Sequence, residues 1–210
     1  MTDKLLSWKF AEEYALERAD IAAAREHSLE VGVEPVPPSV GAHLAQLAAA
    51  TGTRSIVEIG TGVGVSGLWM LSASPDAVLT TIDAELDHQQ HARRVFTEAR
   101  IPANHVRLIG GRAMDVLPRL NEASYDLVLV DADPNNVVEY VEHGLRLVRR
   151  GGTVAVAHAL WRGRVADPAA RDDVSEGFRM LLRELQGSDA VASTLSSIGD
   201  GLLLVTKLGD

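Results

Sequence analysis

The chain contains no cysteine. Disulfides, iron–sulfur clusters and thiolate zinc sites are therefore excluded, and a reducing compartment is compatible with the composition. Aromatic residues make up only 4% of 210 residues, too few to spell out a ligand pocket. Positive charge is in deficit, with 20 Lys+Arg against 29 Asp+Glu and a formal net charge of −9. A nucleic-acid partner needs a concentrated basic face, so the balance argues against one. The one local basic cluster, "RLVRR" over 146–150, reads as a dipole-matched helix end before Gly151-Gly152. No apolar run approaches the roughly 18 residues of a membrane helix, and the start "MTDKLLSWKF" lacks the apolar core of a signal peptide. These absences predict a cytoplasmic chain with neither membrane nor nucleic acid among its partners.

What is present is one substantial core: 46% of the residues are hydrophobic, in a length that suits a single domain. Short β-branched runs recur at 55–59, 78–82, 105–109, 125–130 and 153–157, with helical patterns at 64–73, 86–99, 112–120 and 135–149 between them. The runs do not alternate cleanly, which suits strands buried on both faces of a parallel sheet. The expected fold class is α/β: a doubly wound, Rossmann-like sheet with helices on both faces. The end differs. After a helical pattern at 169–186, "AVASTLSSI" and "LLLVTKL" flank Gly199-Asp200-Gly201, predicting a hairpin that makes the last strand antiparallel. Residues 1–35 read as an N-terminal helical extension of one or two amphipathic helices, and 36–210 as the main domain. The extension is compatible with plain packing, with covering a cleft, or with a dimer contact.

The stretch "VEIGTGVGVSG" over 57–67 runs an apolar strand into a glycine-rich turn and then a helix, the arrangement that wraps nucleotide-like cofactors. Gly62, Gly64 and Gly67 form a G-x-G-x-x-G, which alone suggests NAD. Against NAD stands Glu58 just before the turn, because a carboxylate suits an ammonium or hydroxyl donor and opposes a pyrophosphate. Glu58 followed by Gly60, Gly62 and Gly64 has the order of S-adenosylmethionine binders. Asp83 closes the second strand, where a carboxylate can take ribose hydroxyls or cap the following helix. Ser66 at the first helix start can meet a methionine carboxylate with the helix dipole assisting. Arg112-Ala113 follows the third strand, where adenine is expected. "VDADP" puts Asp131 and Asp133 at the sheet's carboxyl edge.

The whole pattern resembles the class I S-adenosylmethionine-dependent O-methyltransferases of the caffeoyl-CoA and catechol O-methyltransferase type. The resemblance covers roughly residues 30–207 and rests on "VPPSVGAHL", "VEIGTGVGVSG", "LTTID", "YDLVLVDAD", "RRGGTVAV", "LWRGRVADP" and "IGDGLLLVTK". It implies a seven-stranded sheet with a reversed last strand, a homodimer, and S-adenosylmethionine contacts at Val36, Glu58, Gly60, Thr61, Gly62, Ser66, Asp83, Ala113, Asp131 and Asp133. The function it implies is methyl transfer to a hydroxyl of a small, aromatic acceptor.

The resemblance also implies a divalent metal on three carboxylate or amide groups: Asp131 and an Asp-Asn pair at the end of the fifth strand. Here His158-Ala159 stands at that pair, and Pro134 replaces the family's lysine after "DAD". Mg²⁺ wants hard oxygen ligands, so the metal site is doubtful. Three readings of His158 stay open: a metal-free general base working beside Asp131, a ligand with Asp131 of a softer ion such as Zn²⁺, or a packed residue without chemistry. His88 and His91, three apart on a helix, read as a solvated pair, and His27, His43, His105 and His143 suggest no partner. Two rival functions are compatible with the sequence: an S-adenosylmethionine-binding protein without transferase activity, and an NAD-linked oxidoreductase. Trp161, Arg162 and Arg164 fall near the cleft by the resemblance, which would suit an acidic or planar substrate.

Overall fold

The computed structural model describes residues 2–209. Five parallel strands form the body of one sheet: β1 (Ser55–Ile59), β2 (Val78–Asp83), β3 (Val106–Gly110), β4 (Tyr125–Val130) and β5 (Val148–Val156). The hairpin strands β6 (Val191–Ser196) and β7 (Leu202–Lys207) complete it in the order β3-β2-β1-β4-β5-β7-β6. The antiparallel strand is β7, pairing with both β5 and β6. The doubly wound sheet with a reversed last strand is thus as expected.

Helices cover both faces. On one lie α2 (Ala19–Glu30), α3 (Pro38–Ala50), α4 (Val65–Ala73) and α5 (Leu86–Glu98); on the other α6 (Ala113–Val116), α7 (Val137–Leu147) and α8 (Asp173–Gln186). Successive strand residues point to opposite faces. Ile56, Leu79, Leu127 and Leu129 accordingly join one apolar cluster, while Val57, Ile82, Val128 and Val130 join the other. Glu58 falls on the side of Ile56 and is a charged exception in that layer, with no exposure.

Several boundaries differ from expectation. Helix α3 had no counterpart in the sequence reading; Val40, Leu44 and Ala48 give it a buried stripe, and Gly41 lets it approach so closely that an added Cβ would lie 2.3 Å from the Trp69 ring of α4. The 112–120 pattern yields only the short α6 and a 3-10 turn over Leu117–Arg119, because Pro118 cannot continue the helical hydrogen bonding. The basic cluster is not one helix end. Only Arg146 lies on α7, where its guanidinium bonds the Leu117 and Leu120 carbonyls and Glu122. Arg149 is the second residue of β5 and pairs with Asp126 at 2.6 Å.

At the N-terminus, Ile21 and Ala24 of α2 enter the same core as α3 and α4. Helix α1 (Thr2–Glu12) sits differently. Trp8 donates to the Ser197 carbonyl and Glu12 accepts from the Gly199 amide and the Ser39 hydroxyl, yet Leu5, Leu6 and Phe10 stay largely exposed.

Candidate active site

In an open parallel sheet, loops leave the carboxyl ends of the strands, and a crevice opens where the strand order reverses. Here β1 lies between β2 and β4, so their three carboxyl ends share one edge. A cleft of about 380 Å³ opens there. It gathers Val36, Gly60, Thr61, Gly62, Ser66, Asp83, Ala113, Asp131 and Asp133, residues spread over nearly a hundred positions. Two expected site residues do not line it: Glu58 lies beneath, and His158 lies beside.

The glycine loop is held by main-chain geometry that side chains would block. Gly60 has φ +96°, and a Cβ there would come within 1.9 Å of the Asp131 carbonyl. The close approach ties the β1 loop to the β4 loop, with the Asp131 amide bonding the Ile59 carbonyl. Gly64, also left-handed at φ +95°, precedes α4 without any side-chain cap. The α4 N-terminus therefore keeps free amides and a partial positive charge.

Beneath the loop runs a buried polar chain with a definite direction. Gln89 donates to Thr61 Oγ1 at 3.2 Å, Thr61 and Thr81 hydroxyls meet at 2.7 Å, and Thr81 donates to Glu58 Oε2 at 2.6 Å. Since the Thr81 proton is committed to Glu58, Thr61 must donate to Thr81. Ser66 donates to the other carboxylate oxygen, Oε1, at 2.6 Å. Each hydroxyl has a single proton, so while Glu58 is ionised Ser66 presents its lone pairs and its backbone amide to the cleft. Burial without exposure raises the Glu58 carboxyl to about 7; the Ser66 and Thr81 bonds oppose the rise, and the charges of Asp131 and Asp83 add to it.

Asp83 serves the loop. Its Oδ2 accepts the amides of Thr61 and Gly62, both at 3.0 Å, and its Oδ1 accepts that of Glu85. The residue flanking α5 at its N-terminus is Glu85, so Asp83 is not that helix's cap. Asp133 does cap, taking the Asn135 amide and both the Asn135 and Asn136 side-chain amides. His88 is not merely solvated: it lines the cleft with Nδ1 3.4 Å from Asp83. His91 pairs instead with His27 of α2, ring nitrogens 2.7 Å apart. His43 and His105 bond the Ser39 and Pro75 carbonyls.

At the far side, His158 follows β5 in a left-handed conformation, φ +55°. Its Nε2 is 3.7 Å from Asp131 Oδ1 and its Nδ1 is 3.6 Å from Asp200 Oδ2. Burial raises the Asp131 carboxyl; His158 opposes that rise and Glu34 adds to it. The strand periodicity gave no sign of Asp200, which read only as a turn residue. Glu34, Tyr140 and Asn136 also line the cleft, and no motif in the sequence marks them.

Residues 16–208 match the O-methyltransferase family. The chain belongs to that family. A Mycobacteroides abscessus protein provisionally named an O-methyltransferase is 46% identical over 197 residues, covering 93% of this chain and 92% of that protein. Among solved structures, a Corynebacterium glutamicum protein has a TM-score of 0.89 at 30% identity, covering 100% of this chain and 99% of that one. The O-methyltransferase TomG of Streptomyces achromogenes, solved with S-adenosylmethionine, has a TM-score of 0.84 at 31% identity, covering 96% of this chain and 95% of that one.

For this O-methyltransferase the donor set decides what the acceptor end can hold. Among the described residues no group of three or more His, Cys, Asp or Glu side chains is placed to hold a metal ion. The neighbours of His158, Ala157 and Ala159, both end in buried methyl groups. The residues do not fit an oxygen-ligated divalent cation. Nor is there, among the described residues, a helix long and apolar enough to cross a membrane.

Proposed function

We propose that this enzyme transfers a methyl group from S-adenosylmethionine to a hydroxyl of a small aromatic acceptor, with His158 as the proton acceptor. The volume of the cleft, its glycine cradle and the uncapped α4 N-terminus suit an adenosyl amino acid. The remaining lone pairs of Asp83 would take ribose hydroxyls, and Ala113 and Met114 would flank adenine. The amides at the start of α4 would meet the methionine carboxylate. Glu58 would act from below, by fixing Ser66 and the loop, rather than by touching the ligand. Val36 would close the cleft from the segment before α3, while Asp131 and Asp133 would border its acceptor side.

When bound, S-adenosylmethionine supplies an electrophilic methyl group on a sulfonium. The chain's own work is then alignment and proton removal. His158 Nε2 would take the hydroxyl proton as the acceptor oxygen bonds the methyl carbon. Asp131, 3.7 Å from that nitrogen, would orient the hydroxyl and stabilise the imidazolium. Trp161, stacked on buried Phe178 with ring centroids 6.4 Å apart, offers a flat apolar wall beside His158. The observation that carries the reading is an imidazole facing Asp131 where its neighbours bear no metal donors.

Exposed Leu5, Leu6 and Phe10 on α1 suit a homodimer contact, and the cysteine-free sequence suits the cytoplasm.

The test is calorimetric titration of S-adenosylhomocysteine, once in EDTA and once with Mg²⁺ and catechol. Micromolar binding that ignores metal, together with a loss of roughly 10²–10⁴-fold in turnover for His158→Ala, is the expected result. Catechol binding only with Mg²⁺, or full turnover by both His158→Ala and His158→Asn, would overturn the base assignment. No binding of S-adenosylhomocysteine would overturn the cofactor assignment.

A further inference from the structure

The hairpin turn between β6 and β7 does more than reverse the chain. Gly199 and Gly201 are left-handed at φ +56° and +90°, and a Cβ on Gly201 would lie 2.6 Å from the Leu160 amide nitrogen. The turn is therefore pressed against the loop that follows β5. Two backbone bonds lock them: the Ala159 amide to the Gly201 carbonyl at 3.0 Å, and the Leu160 amide to the Asp200 carbonyl at 2.9 Å. Asp200 then closes a ring with its side chain, accepting the Arg162 amide on both carboxylate oxygens at 2.7 Å.

This clamp spans an unfavourable stretch of main chain. His158, Trp161 and Arg162 all have φ between +45° and +55°, a region costly for residues with a Cβ. Such a conformation persists only where the surroundings over-determine it. The same carboxylate that holds the Arg162 amide lies 3.6 Å from His158 Nδ1, longer than a hydrogen bond but within ion-pair reach.

We propose that Asp200 is a positioning residue for His158: its carboxylate fixes the ring and the Nδ1–H tautomer, which turns the Nε2 lone pair toward Asp131 and the cleft. The inference rests on the reading of His158 as proton acceptor. The neutral ring has one N–H and two carboxylates to choose between. The Asp200 carboxylate is fixed beside Nδ1 by the Arg162 amide and by the backbone bonds of its own turn, whereas Asp131 lines the cleft on the Nε2 side. The N–H accordingly goes to Asp200. An acceptor hydroxyl entering beside Asp131 then meets a lone pair instead of a second donor. After proton transfer, the imidazolium lies between two carboxylates. This is the logic by which a carboxylate holds a catalytic histidine in hydrolytic triads, arrived at here with a residue from a hairpin turn.

The experiment is ¹⁵N-histidine NMR at pH 9 on the intact chain, with His158→Ala identifying the His158 signals. Wild type should show Nδ1–H. Asp200→Asn keeps an oxygen for the Arg162 amide but offers an N–H to the ring, and should shift His158 to Nε2–H. A wild-type Nε2–H tautomer, or the same tautomer in both proteins, would overturn the proposal; the wild-type spectrum decides even if the variant fails to fold. With catechol as acceptor, Asp200→Asn should lower kcat by about 10²-fold or more with KM for S-adenosylmethionine unchanged, and add nothing to His158→Ala. A loss that persists on the His158→Ala background would mean Asp200 acts only on the fold. If His158→Ala keeps full turnover, the base assignment fails, while the tautomer still decides whether Asp200 holds the ring.

Discussion

Replacing Glu58 with glutamine tests the buried chain beneath the glycine loop through its pH dependence. Burial raises this carboxyl from 4.5 to about 7 in the folded protein. A carboxyl with a raised folded value contributes stability that is complete below the unfolded value and is lost as pH climbs through the folded one. The interval from 4.5 to about 7, at about 1.4 kcal/mol per pH unit, corresponds to about 3 kcal/mol. Most of that should disappear between pH 5 and pH 8. Glutamine has no such titration, although its amide must face a hydroxyl that now donates, costing about 1 kcal/mol at every pH. Urea melts of both proteins at pH 5 and pH 8 isolate the difference, because all other groups are shared. Wild type should lose roughly 2–3 kcal/mol more than Glu58→Gln over that interval, equivalent to a midpoint difference of roughly 5–10 °C. Parallel pH profiles, within about 0.5 kcal/mol, would mean that Glu58 ionises at its ordinary pH and that the dry environment assigned to it is wrong.

Three other substitutions probe separate links. Gly60→Ala places a methyl group into the Asp131 carbonyl at φ +96° and should cost roughly 2 kcal/mol or more while abolishing S-adenosylhomocysteine binding by calorimetry. Asp126→Ala removes a carboxylate that accepts the Arg54 and Ser55 amides and Arg149 Nε. Burial works against ionisation of Asp126, but those bonds outweigh it and hold the carboxyl below its ordinary range. Its roughly 1–3 kcal/mol should therefore be present at pH 7 and fade as pH falls below 4, as chemical denaturation across that range would reveal. Phe178→Ala empties a site that is 2% exposed and removes the ring under Trp161, for about 3–5 kcal/mol in a thermal or urea melt.

The parts of this protein legible in its sequence are those governed by local rules. Period and β-branching marked the five parallel strands, and Gly199-Asp200-Gly201 marked the reversed last one, because turn chemistry is written within a few residues. Gly60, Asp83, Ala113, Asp131 and Asp133 could be placed at one edge because each ends or follows a strand of a parallel sheet. Helix α3 was less visible: its buried stripe of Val40, Leu44 and Ala48 is short, and its approach to α4 depends on the missing side chain of Gly41 against Trp69.

What tertiary structure alone decided was which polar groups face each other. Glu58 is two residues from Gly60, yet it belongs to the layer beneath the cleft because strand alternation turned it under the sheet, to Thr81 and Ser66. Asp200 is 42 positions beyond His158 and is brought to it by the antiparallel pairing of β5 with β7, along which Val156 meets Leu203. His27 and His91 meet through the packing of α2 against α5 rather than through their spacing. Local sequence specifies backbone geometry because sterics and hydrogen bonding act between near neighbours. The protonation of a carboxyl or the tautomer of an imidazole depends on desolvation and on charges a few ångströms away, and those neighbours exist only once the sheet has assembled.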